Sequence, residues 1–137
     1  MGLDPRIFGP SFWGALHLAC FVADHPDKVR QFIELYQYVL PCPGCRAHFA
    51  QVLVEYPVPD TTSATELFEW SVLVHNIVNA RLGKPDFTVE EAIDEWVNKK
   101  LMEIQNEENP KSPPYMAIVI GLVCIILLIL LLKFKRT

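Results

Sequence analysis

Two cysteines separated by two residues are the side chains of this sequence best placed to do chemistry together. Cys42 and Cys45 lie in the stretch Pro-Cys-Pro-Gly-Cys, residues 41–45. A pair at this spacing can close a disulfide, bind a metal ion or exchange electrons with another thiol. If the first cysteine begins a helix, the helix N-terminus stabilises its thiolate, which is the reactive form. We therefore interpret the pair as a redox centre.

Other uses of the cysteine pair fit the sequence less well. A closed zinc site needs about four ligands, and without a second CxxC these would have to include His48 together with His17 or His75. Haem attachment needs a histidine directly after the second cysteine, where this chain has Arg46. A disulfide that closes so short a loop removes little chain entropy, so a purely structural role is also disfavoured. We hypothesise that Arg46 instead lowers a cysteine pKa, although a solvated helix residue is an equally good interpretation.

A second polar group occurs in the stretch HNIVNARLGKP, residues 75–85. On a helix, His75 and Asn79 lie one turn apart on the same face. Asparagine is a poor helix former, and a buried amide needs hydrogen-bond partners. Together with Asn76 and Lys84, this pattern indicates a surface that binds a polar, anionic ligand.

A third pair of side chains lies near the start of the chain. Trp13 and His17 place an aromatic ring and an imidazole one helical turn apart. For the tryptophan alone, packing in the core is the more common role. The pair therefore predicts a ligand site only in combination with other residues.

The elements that must position these groups are helices. The sequence shows no hairpin turn and no sustained alternation of apolar and polar residues that would predict a strand. Ser63 and Thr88 each begin a capping-box pattern, and Gly83 occupies a typical helix-stop position. The predicted helices cover approximately residues 11–23, 27–39, 41–54, 63–83 and 88–102. We therefore predict an all-α fold built as a compact helical bundle.

The apolar segment near the C-terminus is of a different kind. Residues 115–132 contain no charge, and as a helix they would extend about 27 Å, just enough to cross a hydrocarbon core. Because this segment lacks the polar stripe of a core helix, we predict a transmembrane helix. The predicted organisation is a folded domain, a Pro-rich linker, the membrane span and a basic tail, at residues 1–108, 109–114, 115–132 and 133–137.

The charge distribution limits the possible partners and locations. The chain has a formal charge of −4, which becomes −8 when the four basic residues after position 110 are removed. An acidic domain without a basic run is a poor nucleic-acid binder. The first ten residues lack the apolar region of a signal peptide. We therefore expect a single-pass membrane protein with a C-terminal anchor and a cytosolic domain, although the basic tail favours the opposite orientation.

Three stretches of the sequence together resemble one family. GPSFWGALH (residues 9–17), LPCPGC (40–45) and HNIVNARLGKPDF (75–87) are similar to motifs of the Erv/ALR family of FAD-linked sulfhydryl oxidases, in the family's order and spacing. The likeness covers most of residues 8–100. The small size, lone CxxC and apolar anchor look most like the forms that large DNA viruses encode. The resemblance implies a four-helix bundle with a short fifth helix, usually a homodimer.

The resemblance also implies roles for individual residues. Cys42 would be the cysteine exposed to substrate, and Cys45 would lie next to the flavin. The residues matching the family's FAD contacts are Trp13, His17, His75, Asn76, Asn79, Lys84 and Trp96. The chain departs from cellular members in two ways: Val72 and Thr88 stand where those members have a further cysteine pair, and there is no second, shuttle CxxC.

The implied activity is thiol oxidation. A substrate dithiol attacks the cysteine pair, and the electrons pass to FAD and then to O2, which gives H2O2. Without a shuttle CxxC, we expect the pair to meet its dithiol substrate directly, on a small thioredoxin-like redox protein, and to serve disulfide formation in viral proteins. The alternative is a membrane-tethered, non-catalytic helical adaptor whose CxxC senses redox state or binds zinc. A disulfide reductase is disfavoured because the sequence has no GxGxxG motif for a nicotinamide cofactor.

Overall fold

The computed structural model describes residues 2–108 and 114–134, and within them every regular element is helical. The all-α prediction is therefore confirmed for this part of the chain. A π-helical turn, Asp94–Asn98, separates the fifth and sixth helices. The helices are α1 Pro5–Val22, α2 Pro26–Val39, α3 Pro43–Glu55, α4 Ala64–Arg81, α5 Val89–Ile93, α6 Lys99–Glu108 and α7 Pro114–Phe134.

The capping residues explain where these helices begin and end. Thr88 and Glu91 form the reciprocal capping box predicted from the sequence. At the start of α4, the Ser63 hydroxyl accepts a hydrogen bond from the Glu66 amide. Gly83 follows α4 with a φ of 65°, the left-handed conformation that glycine adopts without steric cost.

Several helix boundaries differ from the sequence prediction. Helix α3 begins at Pro43 rather than Pro41, because Cys42 is its N-cap residue. Helix α1 begins at Pro5 rather than near Ser11, because the Asp4 carboxylate caps it through the amide of Arg6. The segment predicted to end near Met102 stays helical to Glu108. No glycine or proline interrupts the sequence between these two residues.

The chain divides into two compact units, residues 1–100 and 101–137. In the first unit, α1 packs mainly on α4 and α2 packs mainly on α3, and α1 also contacts α2. The π-helical turn contacts α1, and α5 contacts α4. Side chains that are completely buried between these helices include Leu16, Ile33, Leu67 and Val74. This first unit contains every residue predicted to take part in the site.

The second unit contains α7, whose described apolar side chains are largely exposed. Within residues 2–108 and 114–134, no helix combines the length and the apolar character needed to span a bilayer. The transmembrane prediction for residues 115–132 is therefore not confirmed. Most of the predicted linker 109–114 and of the predicted tail 133–137 lies outside the described residues.

Candidate redox and cofactor site

The two cysteines of the CxxC motif form a disulfide at the N-terminus of α3. Cys42 is the N-cap residue, and its Sγ accepts a hydrogen bond of 3.1 Å from the backbone amide of Cys45. Cys45 is half-buried and packs against the hydrophobic core. The predicted position at a helix start is confirmed, and the same amide would stabilise a Cys42 thiolate once the disulfide is reduced.

The N-terminal residues pack directly on this redox turn, which we define as residues 41–45. The amide of Leu3 donates a hydrogen bond of 2.8 Å to the Pro41 carbonyl. A Cβ on Gly2 would lie 2.7 Å from Pro43 Cδ and 3.2 Å from Cys42 Cα. Only glycine fits at position 2 without movement, so Gly2 and Leu3 cover one side of the redox turn.

Arg46 contacts the backbone of the redox turn and of the residue before it. Its Nη1 donates to the Leu40 carbonyl at 2.6 Å, and its backbone amide donates to the Cys42 carbonyl at 3.0 Å. The first bond holds the residue that precedes the turn, and the second holds the turn itself. The hypothesis that Arg46 lowers a cysteine pKa stays a prediction.

Four residues predicted to bind FAD lie together between α1, α4 and the π-helical turn. The rings of Trp13 and His75 are stacked, with centroids 4.0 Å apart and planes 8° apart. The Trp96 ring centroid lies 5.6 Å from that of His17 and 6.4 Å from that of His75. We call Trp13, His17, His75 and Trp96 the aromatic cluster.

A glycine makes room for one of these rings. A Cβ on Gly14 would lie 3.2 Å from Cζ3 and 3.3 Å from Cε3 of Trp96. Contacts this short would force the indole to shift. Gly14 therefore allows the π-helical turn to pack closely against α1.

The two histidines of the aromatic cluster are joined by buried hydrogen bonds. His17 Nε2 lies 2.9 Å from His75 Nδ1, and His17 Nδ1 lies 2.8 Å from the Ser71 hydroxyl. Only 1% of His17 and 6% of His75 is exposed. Burial lowers the pKa of His17 to about 4 and that of His75 to about 3, the latter also through repulsion by His17 and Lys84. Both imidazoles are therefore neutral at pH 7.

Ser71 is a site residue that the sequence predictions missed. It lies four residues before His75, so the two side chains share one face of α4. A completely buried hydroxyl on that face needs a partner. This spacing was the available signal, but a serine alone did not reveal that its partner would come from α1.

The two asparagines hold the loop that follows α4. The Asn76 amide group donates to the Phe87 carbonyl at 2.8 Å and accepts from the Phe87 amide at 2.9 Å. Asn79 Nδ2 donates to the Pro85 carbonyl at 3.3 Å. The backbone carbonyl of Asn79 accepts from the Lys84 amide at 2.9 Å. These bonds place Lys84 beside α4, the helix that carries His75. Direct contact of Asn76, Asn79 and Lys84 with FAD stays a prediction.

One buried polar atom at the cluster lacks a partner. Among the described residues, Trp96 Nε1 is the buried side-chain nitrogen or oxygen that makes no hydrogen bond. A buried N–H donor costs free energy unless an acceptor reaches it, so this atom indicates a ligand with an acceptor group. Flat rings, a free N–H donor and a nearby lysine suit a planar cofactor that carries phosphates, so these residues fit FAD.

The described residues show no comparable arrangement for a metal ion. In the part of the chain that the structure describes, no three histidine, cysteine or acidic side chains are grouped closely enough to hold one. His48 lies on α3, and its pKa is lowered by partial burial and by the charge of Arg81.

A family comparison agrees with this site. The model of the Erv1/Alr family matches residues 10–108, a range that contains the redox turn and the whole aromatic cluster. The chain belongs to this family. The Erv1/Alr resemblance seen in the three sequence stretches is therefore confirmed.

Several viral proteins are similar to this Erv1/Alr chain. It is 38% identical over 106 residues to a protein of Invertebrate iridescent virus 6 that is named as an FAD-linked sulfhydryl oxidase, covering 69% of this chain and 96% of the relative. It is 42% identical over 72 residues to a similarly named protein of Acanthamoeba polyphaga mimivirus, covering 50% of each chain. The match thus spans almost all of the first relative and half of the second.

A solved structure of the same family shares the fold. The crystal structure of the yeast Erv1 core superposes with a TM-score of 0.61 at 27% identity, covering 71% of this chain and 86% of the yeast chain. The helical architecture of the first unit is therefore that of an Erv1 core.

Proposed function

We propose that this chain is an FAD-linked sulfhydryl oxidase that forms disulfide bonds in protein substrates through Cys42 and Cys45. The observation that carries this proposal is the disulfide between these two residues at the N-terminus of α3, in a chain of the Erv1/Alr family. The names of the viral relatives support the same activity.

The first step of the proposed reaction is thiol–disulfide exchange. A substrate thiolate attacks Cys42, the S–S bond breaks, and Cys45 leaves as a thiolate. The second substrate thiol then displaces Cys42, so the substrate leaves oxidised and the pair stays reduced by two electrons. This assignment is supported by the packing of Cys45 against the core and by the amide that faces Cys42 Sγ.

The aromatic cluster is the proposed place of the cofactor. When bound, FAD supplies the two-electron acceptor that reoxidises the pair and passes the electrons to O2, which becomes H2O2. Trp13 and Trp96 would provide flat, apolar surface, and Trp96 Nε1 a hydrogen-bond donor. Asn76 and Asn79 would hold the loop that carries Lys84, the cation for the phosphates.

The proposed substrate is a dithiol on another protein. The sequence contains one CxxC, and in this proposal the substrate reaches Cys42 itself rather than a shuttle cysteine. A small thioredoxin-like redox protein presents such a dithiol on an accessible surface. The viral relatives favour a role in disulfide formation in viral proteins.

A homodimer is also part of the proposal. Exposed apolar side chains occur on both α1 and α2, and Val22 and Phe32 line the same surface cavity between these helices. A second copy that covers this face would remove apolar area from water. The exposed apolar residues here are Leu18, Phe21, Val22, Phe32, Leu35 and Val39. Light scattering should give a dimer for the native chain and a monomer for Val22→Asp.

We further propose a C-terminal membrane anchor with the first unit on the cytosolic side. The support comes from the sequence, in which residues 115–132 form an uncharged apolar segment followed by three basic residues. Alkaline carbonate extraction should leave the full chain in the membrane fraction and release a chain truncated after residue 108. In a separate experiment on sealed vesicles, protease added to the cytosolic side should digest the first unit.

The oxidase proposal is tested by colour and by oxygen consumption. The purified full chain should be yellow, with flavin absorbance at about 450 nm, and should consume O2 when given dithiothreitol. Cys124→Ser is the control and should behave like the native chain, because this exposed free thiol lies in the second unit. A colourless chain that takes up no FAD would contradict the oxidase and leave the non-catalytic adaptor.

A further inference from the structure

A continuous chain of hydrogen bonds crosses the interior of the first unit. The Ser71 hydroxyl donates to the Phe68 carbonyl at 2.6 Å. The same hydroxyl contacts Nδ1 of His17 at 2.8 Å, and Nε2 of His17 contacts Nδ1 of His75 at 2.9 Å. We call Ser71, His17 and His75 the polar chain. All three bonds are buried, so water cannot substitute for any of the partners.

The direction of every bond in the polar chain follows from its first member. A carbonyl oxygen only accepts, so the single hydrogen of the Ser71 hydroxyl is committed to Phe68. His17 Nδ1 must therefore carry a hydrogen and donate to Ser71. A neutral imidazole carries one such hydrogen, so His17 Nε2 accepts and His75 Nδ1 donates. The depressed pKa values of both histidines agree with neutral rings.

A neighbouring thiol does not reverse this direction. Cys20 is completely buried, and the Ser71 hydroxyl is close enough to act on the pKa of its thiol. Burial raises the pKa of the Cys20 thiol to about 12, although Ser71 acts in the opposite sense. Cys20 therefore stays protonated at neutral pH, and no thiolate competes with Phe68 for the hydroxyl hydrogen.

The polar chain ends on a free acceptor. With the hydrogen of His75 on Nδ1, its Nε2 is a bare lone pair, and no hydrogen bond within the described residues uses that atom. Trp13 stacks on the ring face at 4.0 Å and holds its plane. The nearby Trp96 Nε1 is a free donor. The cluster thus offers a ligand one acceptor and one donor of fixed identity.

We propose that Ser71 is a positioning residue for the cofactor: it fixes both histidines as Nδ1–H tautomers, so that His75 Nε2 accepts a hydrogen bond from an N–H or O–H group of FAD. This inference rests on the proposed function for the identity of the ligand. The tautomers themselves depend only on the side chains of this chain. Without the Ser71 hydroxyl, His17 Nδ1–H loses its buried acceptor, and reversing both rings would leave His75 Nε2 as a donor.

The test measures the histidine tautomers directly. Long-range 1H–15N NMR spectra of the flavin-free full chain at pH 7 should show Nδ1–H for His17 and His75. In Ser71→Ala, both rings should shift towards the Nε2–H form. The dissociation constant of FAD should rise about tenfold, because one hydrogen bond of about 1.4 kcal/mol is lost.

Two variants separate this orientation from a general loss of structure. Ser71→Thr keeps the hydroxyl and should keep both tautomers and the FAD affinity. Ser63→Ala makes the alanine substitution at the N-cap of the same helix, so it should change neither quantity. If Ser71→Ala does not fold, the native tautomers and the behaviour of Ser71→Thr still decide the question.

The inference is overturned if native His75 carries its hydrogen on Nε2, or if Ser71→Ala changes neither the tautomers nor the FAD affinity. Failure of the proposed function gives a different result. In that case the flavin-free tautomers are as stated, but the native chain binds no FAD.

Discussion

The redox turn and the polar chain lie in the same unit but are held in opposite ways. The redox turn is partly exposed and is fixed by backbone contacts from Leu3 and Arg46. The polar chain is almost completely buried and is fixed by bonds between side chains. A thiol that must meet a protein substrate needs access, whereas a cofactor site needs groups of fixed protonation and orientation. Substitutions should therefore separate electron transfer from cofactor binding.

The largest effect should come from the redox turn itself. Cys45→Ser removes the partner of the disulfide, so dithiothreitol oxidation should fall to the uncatalysed background while bound flavin is retained. Oxygen consumption and the visible spectrum check the two halves of this prediction. Cys124→Ser should behave like the native chain in both. Undiminished oxidation by Cys45→Ser would place the electron path elsewhere.

The polar chain should make stability depend on pH. His17 and His75 have an ordinary pKa of 6.5 when unfolded, and burial lowers the folded values to about 4 and about 3. The unfolded state therefore binds more protons below pH 6.5. The contribution of the two histidines to the free energy of unfolding should be fully present above pH 6.5. It should be lost towards pH 4, at up to about 1.4 kcal/mol per pH unit for each histidine.

Denaturant unfolding of the flavin-free chain at several pH values measures this slope. His17→Gln should remove the share of one histidine. His25→Gln, at the exposed start of α2, is the matched control and should leave the slope unchanged. Equal slopes for His17→Gln and the native chain would mean that the buried imidazoles do not control acid stability.

A smaller effect is expected where Trp96 meets α1. Gly14→Ala would place a Cβ 3.2 Å from the indole ring, and overpacking of this kind costs about 1–3 kcal/mol in the free energy of unfolding. Gly9→Ala is the matched control on the same helix, because outside its chain neighbours and the helix backbone no atom lies within 4 Å of its added Cβ. It should destabilise less than Gly14→Ala, because its new crowding is with the following Pro10 alone and alanine loses less entropy than glycine in a helix. Equal effects of both substitutions would contradict close packing at Gly14.

The smallest effect should be local to the redox turn. Gly2→Ala pushes a Cβ against Pro43 Cδ, so the N-terminal segment should separate from the turn and the Leu3 amide should exchange its hydrogen faster. Gly44→Ala, whose added Cβ meets no atom within 4 Å, should leave this exchange unchanged. Overall stability should stay within about 0.5 kcal/mol of native in both variants. Unchanged exchange in Gly2→Ala would show that the segment does not depend on this contact.

Local signals predicted the helices and the redox turn. The capping residue Thr88 and the stop at Gly83 act within four residues, so the sequence alone reveals them. The CxxC predicted a disulfide-forming pair at a helix start for the same reason. The length of the fifth predicted helix was underestimated, because nothing in its composition marks the residue at which it ends.

Long-range pairings were beyond local patterns. Ser71 and His17 are 54 residues apart, and His17 and His75 are 58 apart. That the asparagines contact a ligand stays a prediction, and the sequence did not reveal that their side chains hold the backbone of Phe87 and Pro85. A buried amide needs partners of some kind, yet only the path of the following loop decides which ones it finds.

The most direct test of the oxidase is an anaerobic reduction of the flavin-loaded full chain with dithiothreitol. If electrons reach the flavin through the redox turn, the absorbance at about 450 nm should bleach rapidly in the native chain. It should persist in the variant with both Cys42→Ser and Cys45→Ser. Equal bleaching of the two chains would contradict the account, because electrons would then reach the flavin without the disulfide.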